Sequence, residues 1–168
     1  RCTASSRVIV TEGIHDRFVA ACIEKIQTLK VDDARKAGTD IGPVVDEKQL
    51  AQDLDYIRIG QAEGAKLAAG GQALERNADG APGFYLTPAL FTETTPEMRI
   101  NREEIFGPVV SVQRAKNYDE ALALANDTPF GLAAGIATTS LKHATHFKRH
   151  AQAGMVMVNL PDRKSTRL

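Results

Sequence analysis

Neither sign of charge prevails in this sequence: 21 lysine and arginine side chains stand against 21 aspartates and glutamates, so the formal net charge at pH 7 is zero. A balanced surface offers no field to draw in nucleic acid or an anionic membrane, and neither is expected as a partner. No run approaches the ~18 apolar residues that a membrane-spanning helix needs, and no stretch reads as a secretory leader, which makes the cytoplasm the expected compartment. Two cysteines, Cys2 and Cys22, are too few for a disulfide framework and lack metal-ligand spacing, so reduced thiols are expected. Internal repeats and long linkers are also missing, and no glycine-rich phosphate loop of the Rossmann type opens a helix. What is present is ordinary for one globular domain: 168 residues, 43% hydrophobic and 25% charged. A chain of this length buries roughly two thirds of its unfolded surface.

Periodicity alternates between strand and helix, which predicts an α/β fold with a largely parallel sheet flanked by helices. Arg7 to Val10 reads as a strand. From His15 to Leu29, Phe18, Cys22, Ile26 and Leu29 recur at helical spacing and place Cys22 on a buried stripe as a small core hydrophobe. A loop from Gly38 to Val45 precedes Asp46, which can cap a helix reaching Glu63 before Gly64 stops it. Lys66 to Ala69, Phe84 to Leu90 and Val109 to Arg114 read as strands, Tyr118 to Asn126 and Ser140 to Gln152 as helices, and Met155 to Val158 as a last buried strand. Residues 162–168, DRKSTRL, turn abruptly polar and basic and resemble the translation of a sequencing adapter. Domain organisation is therefore expected as one unit over 1–161 followed by a non-native tail.

Two stretches carry chemistry. In RCTASSR, Cys2 is bracketed by Arg1 and Arg7 and followed by small residues. Positive charge favours the thiolate, the form in which cysteine is a strong nucleophile, and small neighbours let a carbonyl approach. In NREEIFGPVV, Glu103 and Glu104 precede Phe106, Gly107 and Pro108 at the entry to a strand. A carboxylate there can accept hydrogen bonds from vicinal hydroxyls such as a ribose's, and the phenyl ring can pack on a planar heterocycle. Taken singly, each has a plainer explanation: an incidental thiol, and a solvated charge pair. His143, His146 and His150 share one side of a predicted helix, but Lys142, Lys148 and Arg149 crowd it, so a solvated flank is expected and no metal. A Cys2–His15 pair would suit a hydrolase or acyltransferase, although no orienting partner is evident.

Together, in this order and about a hundred residues apart, the two stretches resemble signatures of the aldehyde dehydrogenase superfamily. Asp40-Ile41-Gly42-Pro43-Val44, the turn from Gly64-Ala65-Lys66 to Gly70-Gly71, Gly83-Phe84-Tyr85-Leu86-Thr87-Pro88, Asn126-Asp127-Thr128-Pro129-Phe130-Gly131-Leu132 and Gly154-Met155-Val156-Met157-Val158-Asn159 are similar to its intervening landmarks. The wording around Leu141 to Arg149 is most similar to the branch that oxidises α-ketoglutarate semialdehyde (2,5-dioxopentanoate). The resemblance implies part of a catalytic domain, truncated at both ends, with Cys2 as the nucleophile and its backbone N–H as an oxyanion donor. It implies Glu104 on the nicotinamide ribose of NAD or NADP, Phe106 beside the nicotinamide, and a small aldehyde as substrate. Asn159 is expected to be structural. The parent is expected to be a homo-oligomer whose oligomerisation strand, like the general base and the pyrophosphate-binding segment, lies outside these residues. The chain alone is thus expected to be inactive.

Overall fold

A computed structural model describes residues 2–160; the suspected tail at 162–168 and Arg1 lie outside the described residues. The elements run β1 (Arg7–Thr11), α1 (Glu12–Gln27), α2 (Glu47–Ala62), β2 (Lys66–Ala69), β3 (Ala73–Arg76), β4 (Pro82–Leu86), β5 (Ala89–Thr92), α3 (Arg99–Arg102), β6 (Val109–Ala115), α4 (Tyr118–Asn126), β7 (Ala133–Ile136), α5 (Leu141–His150) and β8 (Met155–Val158). The main sheet has the order β1-β6-β5-β2. β6 runs parallel to both neighbours, with Arg7 opposite Ser111 and Ala89 opposite Val109, whereas β2 is antiparallel to β5. β3 and β4 form a separate hairpin, and β7 pairs β8 in parallel. The expected α/β arrangement with a largely parallel sheet is what the chain adopts.

The pleat sorts the core into two clusters. Ala89, Phe91 and Val109 join Ile57, Leu86, Ile100 and Ile105 on the α2 side. Leu90, Val112 and Val10 pack on the other side against α1, whose Phe18, Cys22 and Ile26 recur every four residues. Cys22 sits on the predicted stripe but is half-buried. Burial still raises its thiol pKa.

Several boundaries differ from expectation for local reasons. The single strand read over Phe84 to Leu90 is two: β4 ends at Leu86 and β5 begins at Ala89, in different sheets. Thr87 and Pro88 turn the chain between them, and Thr87 is pinned by Gly71 N–H donating to its carbonyl at 3.0 Å. Gly70 lies against that turn with φ +66, and a Cβ there would overlap the Pro88 carbonyl. α1 starts at Glu12 rather than His15, and α5 ends at His150 rather than Gln152. The Asp46 cap forms as read, accepting from Gln49 N–H at 2.8 Å. β3, β7 and α3 were not predicted; Ala133-Ala134-Gly135-Ile136 has almost no polar alternation to reveal it.

Candidate functional site at the amino edge of the sheet

Strand register brings the two chemical stretches to one place. Cys2 lies five residues ahead of β1, and Glu104 lies five residues ahead of β6, its parallel neighbour. Parallel strands have their starts on the same sheet edge, so both stretches belong to that edge. Ser111 N–H donates to the Ser6 carbonyl at 3.0 Å and ties the end of the cysteine segment to the start of β6. α4 returns antiparallel and delivers a third motif. Arg7 donates to the carbonyls of Leu124, Ala125 and Asp127 at 3.2–3.4 Å, closing the carboxyl end of α4 as cations at such ends do. Arg102 makes a two-pronged pair with the Asp127 carboxylate at 2.9 and 2.7 Å. That pair holds the Asp127 carboxyl below the usual range.

The two adjacent glutamates are not equivalent. Glu103 accepts from Arg99 at 2.9 Å on each oxygen and from the Tyr56 hydroxyl at 2.6 Å. These bonds hold its carboxyl down to about 2, Arg99 first and Tyr56 second. Glu104 is exposed, and no described residue makes a hydrogen bond or ion pair with its carboxylate. Two residues on, Phe106 has φ +60 and is 55% exposed. A left-handed aromatic residue costs about 1–3 kcal/mol and persists only where neighbours enforce it. An uncommitted carboxylate beside an outward phenyl ring fits a sugar diol joined to a planar heterocycle.

Other expectations resolve differently. Cys2 is exposed, and the Arg7 guanidinium is directed at the carbonyls that end α4. His15 does not meet Cys2. It lies in the first turn of α1, beyond the far end of β1, a strand roughly 13 Å long at 3.3 Å per residue. His15 is 2% exposed, with Nδ1 2.9 Å from Asp16. The histidine flank is only partly solvated. His143 stacks on Tyr118 with centroids 4.1 Å apart, His146 Nδ1 lies 2.9 Å from the Tyr118 hydroxyl, and His150 stacks on His146. Among the described residues no group of three or more His, Cys, Asp or Glu is placed to hold a metal ion. Asn159 exchanges two side-chain bonds of 2.8 Å with the backbone of Thr138.

Sequence reasoning missed Arg7 as a helix clamp, the Arg102–Asp127 pair, and Asn126, whose side chain bonds the His150 carbonyl and Gln152 N–H. Only the lone Asn-Asp after an apolar helix hinted at a terminus.

The aldehyde dehydrogenase family profile matches residues 1–167. An alpha-ketoglutarate semialdehyde dehydrogenase from Haloferax volcanii is 44% identical over 160 residues, covering 94% of this chain and 32% of that protein. The cytosolic 1 aldehyde dehydrogenase of Rattus norvegicus is 42% identical over 158 residues, covering 94% and 30%. Betaine aldehyde dehydrogenase from Staphylococcus aureus, solved in complex with NAD+, superposes with a TM-score of 0.90 at 33% identity, covering 95% of this chain and 31% of that one. The chain thus spans about a third of the length of the relatives it matches. With the motif order, the sheet and the profile in agreement, the chain belongs to the aldehyde dehydrogenase family.

Proposed function

We propose that residues 1–161 form part of the catalytic domain of an NAD(P)-dependent dehydrogenase that oxidises an aldehyde to its carboxylic acid, with Cys2 as nucleophile. The Cys2 thiolate adds to the aldehyde carbon and forms a thiohemiacetal, while the Cys2 backbone N–H donates to the developing oxyanion. NAD(P) supplies the hydride acceptor for this oxidation. Loss of hydride leaves a thioester on Cys2, and water cleaves it to acid and thiol. Glu104 accepts from the ribose hydroxyls and Phe106 lies against the nicotinamide ring. The observation that carries this reading is that exposed Cys2, exposed Glu104 without a partner among the described residues, and outward Phe106 all lie at one edge of the parallel strands.

α-Ketoglutarate semialdehyde is the proposed substrate, supported by a relative at 44% identity that bears that name. In the same reading the whole protein is a cytoplasmic homo-oligomer. The decisive assay uses the full-length gene product with α-ketoglutarate semialdehyde, betaine aldehyde and propanal in turn, each with NAD and with NADP. Wild type reduces coenzyme, fastest with the semialdehyde. Cys2→Ala loses more than about a thousandfold in turnover and still binds coenzyme. Turnover retained in Cys2→Ala, or no acyl adduct on Cys2 by mass spectrometry, overturns the reading.

A further inference from the structure

α2 runs under the segment that presents Glu104 and Phe106, and three of its side chains, at positions 49, 52 and 53, share the face that meets it. Gln49 Nε2 donates to Asp53 Oδ1 at 2.7 Å and to the Ile105 carbonyl at 2.9 Å. Gln52 Nε2 reaches the same carbonyl at 3.0 Å. Asp53 is fully buried, and its Oδ2 has no hydrogen-bond partner among the described residues. Its carboxyl lies directly on the backbone of Gly107, where any Cβ would overlap it. The residue before Phe106 is therefore pinned by its carbonyl, and the residue after it is walled by a carboxyl. Between these two restraints stands the left-handed Phe106.

An apolar side chain would fill this site without the cost of burying a half-satisfied carboxyl, which needs another reason to be there. Burial raises the Asp53 carboxyl pKa, and the bond from Gln49 opposes that rise. We propose that Asp53 is a positioning residue for coenzyme: it orients the Gln49 amide onto Ile105, walls Gly107, and so holds Phe106 and Glu104 ready for the nicotinamide riboside. This inference rests on the proposed function and adds to it a residue that touches neither coenzyme nor substrate.

The test compares Asp53→Ala and Asp53→Asn with wild type in the full-length gene product. Three readouts are used: calorimetric titration with NAD and NADP, steady-state kinetics, and hydrogen exchange of residues 103–108 in coenzyme-free protein. Asn keeps the acceptor oxygen, so coenzyme Kd stays within about twofold of wild type and the exchange rate is unchanged. Ala removes the acceptor. Coenzyme Kd and KM then rise about tenfold, the effect of one lost buried hydrogen bond, while kcat falls much less and the segment exchanges faster. Should Ala fail to fold, Asp53→Ser, too short to reach Gln49, carries the same expectation. Unchanged coenzyme affinity in Ala, or equal impairment in Asn and Ala, overturns the inference. Wild-type protein that binds neither coenzyme sinks the proposed function instead, and the exchange comparison still decides whether Asp53 holds the segment.

Discussion

Glu103 and Glu104 are chemically identical neighbours with separate employment. Glu103 is locked by Arg99 and Tyr56, so Glu103→Gln should lower Tm and leave coenzyme affinity within about twofold. Glu104 has no such ties among the described residues, so Glu104→Gln should leave Tm unchanged and weaken coenzyme binding about tenfold. Thermal melts and calorimetric titration of the full-length variants check both, and a reversed pattern would exchange the roles. The pH dependence has a definite sign. The folded pKa of Glu103 is about 2 against 4.5 for the free group, so its contribution is fully present above about 4.5. It is lost as pH falls from there through about 2. Glu103→Gln should flatten that part of the stability-versus-pH curve measured by denaturant titration. This division was not legible in the sequence: the four-residue helix that sets Arg99 at i,i+4 to Glu103 has too short a pattern to be read. Tyr56 is separated from Glu103 by 47 positions, and only the packing of α2 beside α3 brings it near.

At the scale of elements, legibility followed pattern strength. α2 and α4 carry side-chain caps, Asp46 and Asn117, and apolar spacing, and their bounds match expectation closely. The strand read across Phe84 to Leu90 failed because apolar residues continue through the break, while the break depends on a partner far upstream. Gly70 and Gly71 support the Thr87-Pro88 turn from far upstream, where Gly71 N–H meets the Thr87 carbonyl. Gly70 has both a left-handed backbone and no room for a Cβ. Gly70→Ala should therefore cost at least about 2 kcal/mol, and Gly64→Ala, equally left-handed but facing open space, should cost less. Denaturant unfolding of the two full-length variants measures the difference, and equal losses would show that overlap with Pro88 contributes nothing.

For the molecule as a whole, the described residues set the two chemical stretches ahead of neighbouring parallel strands, and in the proposed reading they offer contacts to only one end of a dinucleotide. The described helices start from Thr11, Asp46, Met98, Asn117 and Ser140, and no glycine-rich turn opens any of them. A pyrophosphate needs a set of converging backbone N–H groups at such a turn. In the proposed reading the nicotinamide end meets Glu104 and Phe106, and these contacts alone do not anchor a dinucleotide. The isolated 168-residue chain, given propanal and NAD or NADP, should therefore produce no sustained NAD(P)H in an absorbance assay. Its thiols should nevertheless differ: Cys2 is exposed, whereas Cys22 is half-buried with its thiol pKa raised. Iodoacetamide should modify Cys2 first, as followed by peptide mass spectrometry. Steady coenzyme reduction by the chain alone would mean that these residues suffice to bind and turn over both substrates. Faster labelling of Cys22 would mean that α1 opens away from the Val10, Leu90 and Val112 cluster when the rest of the protein is absent.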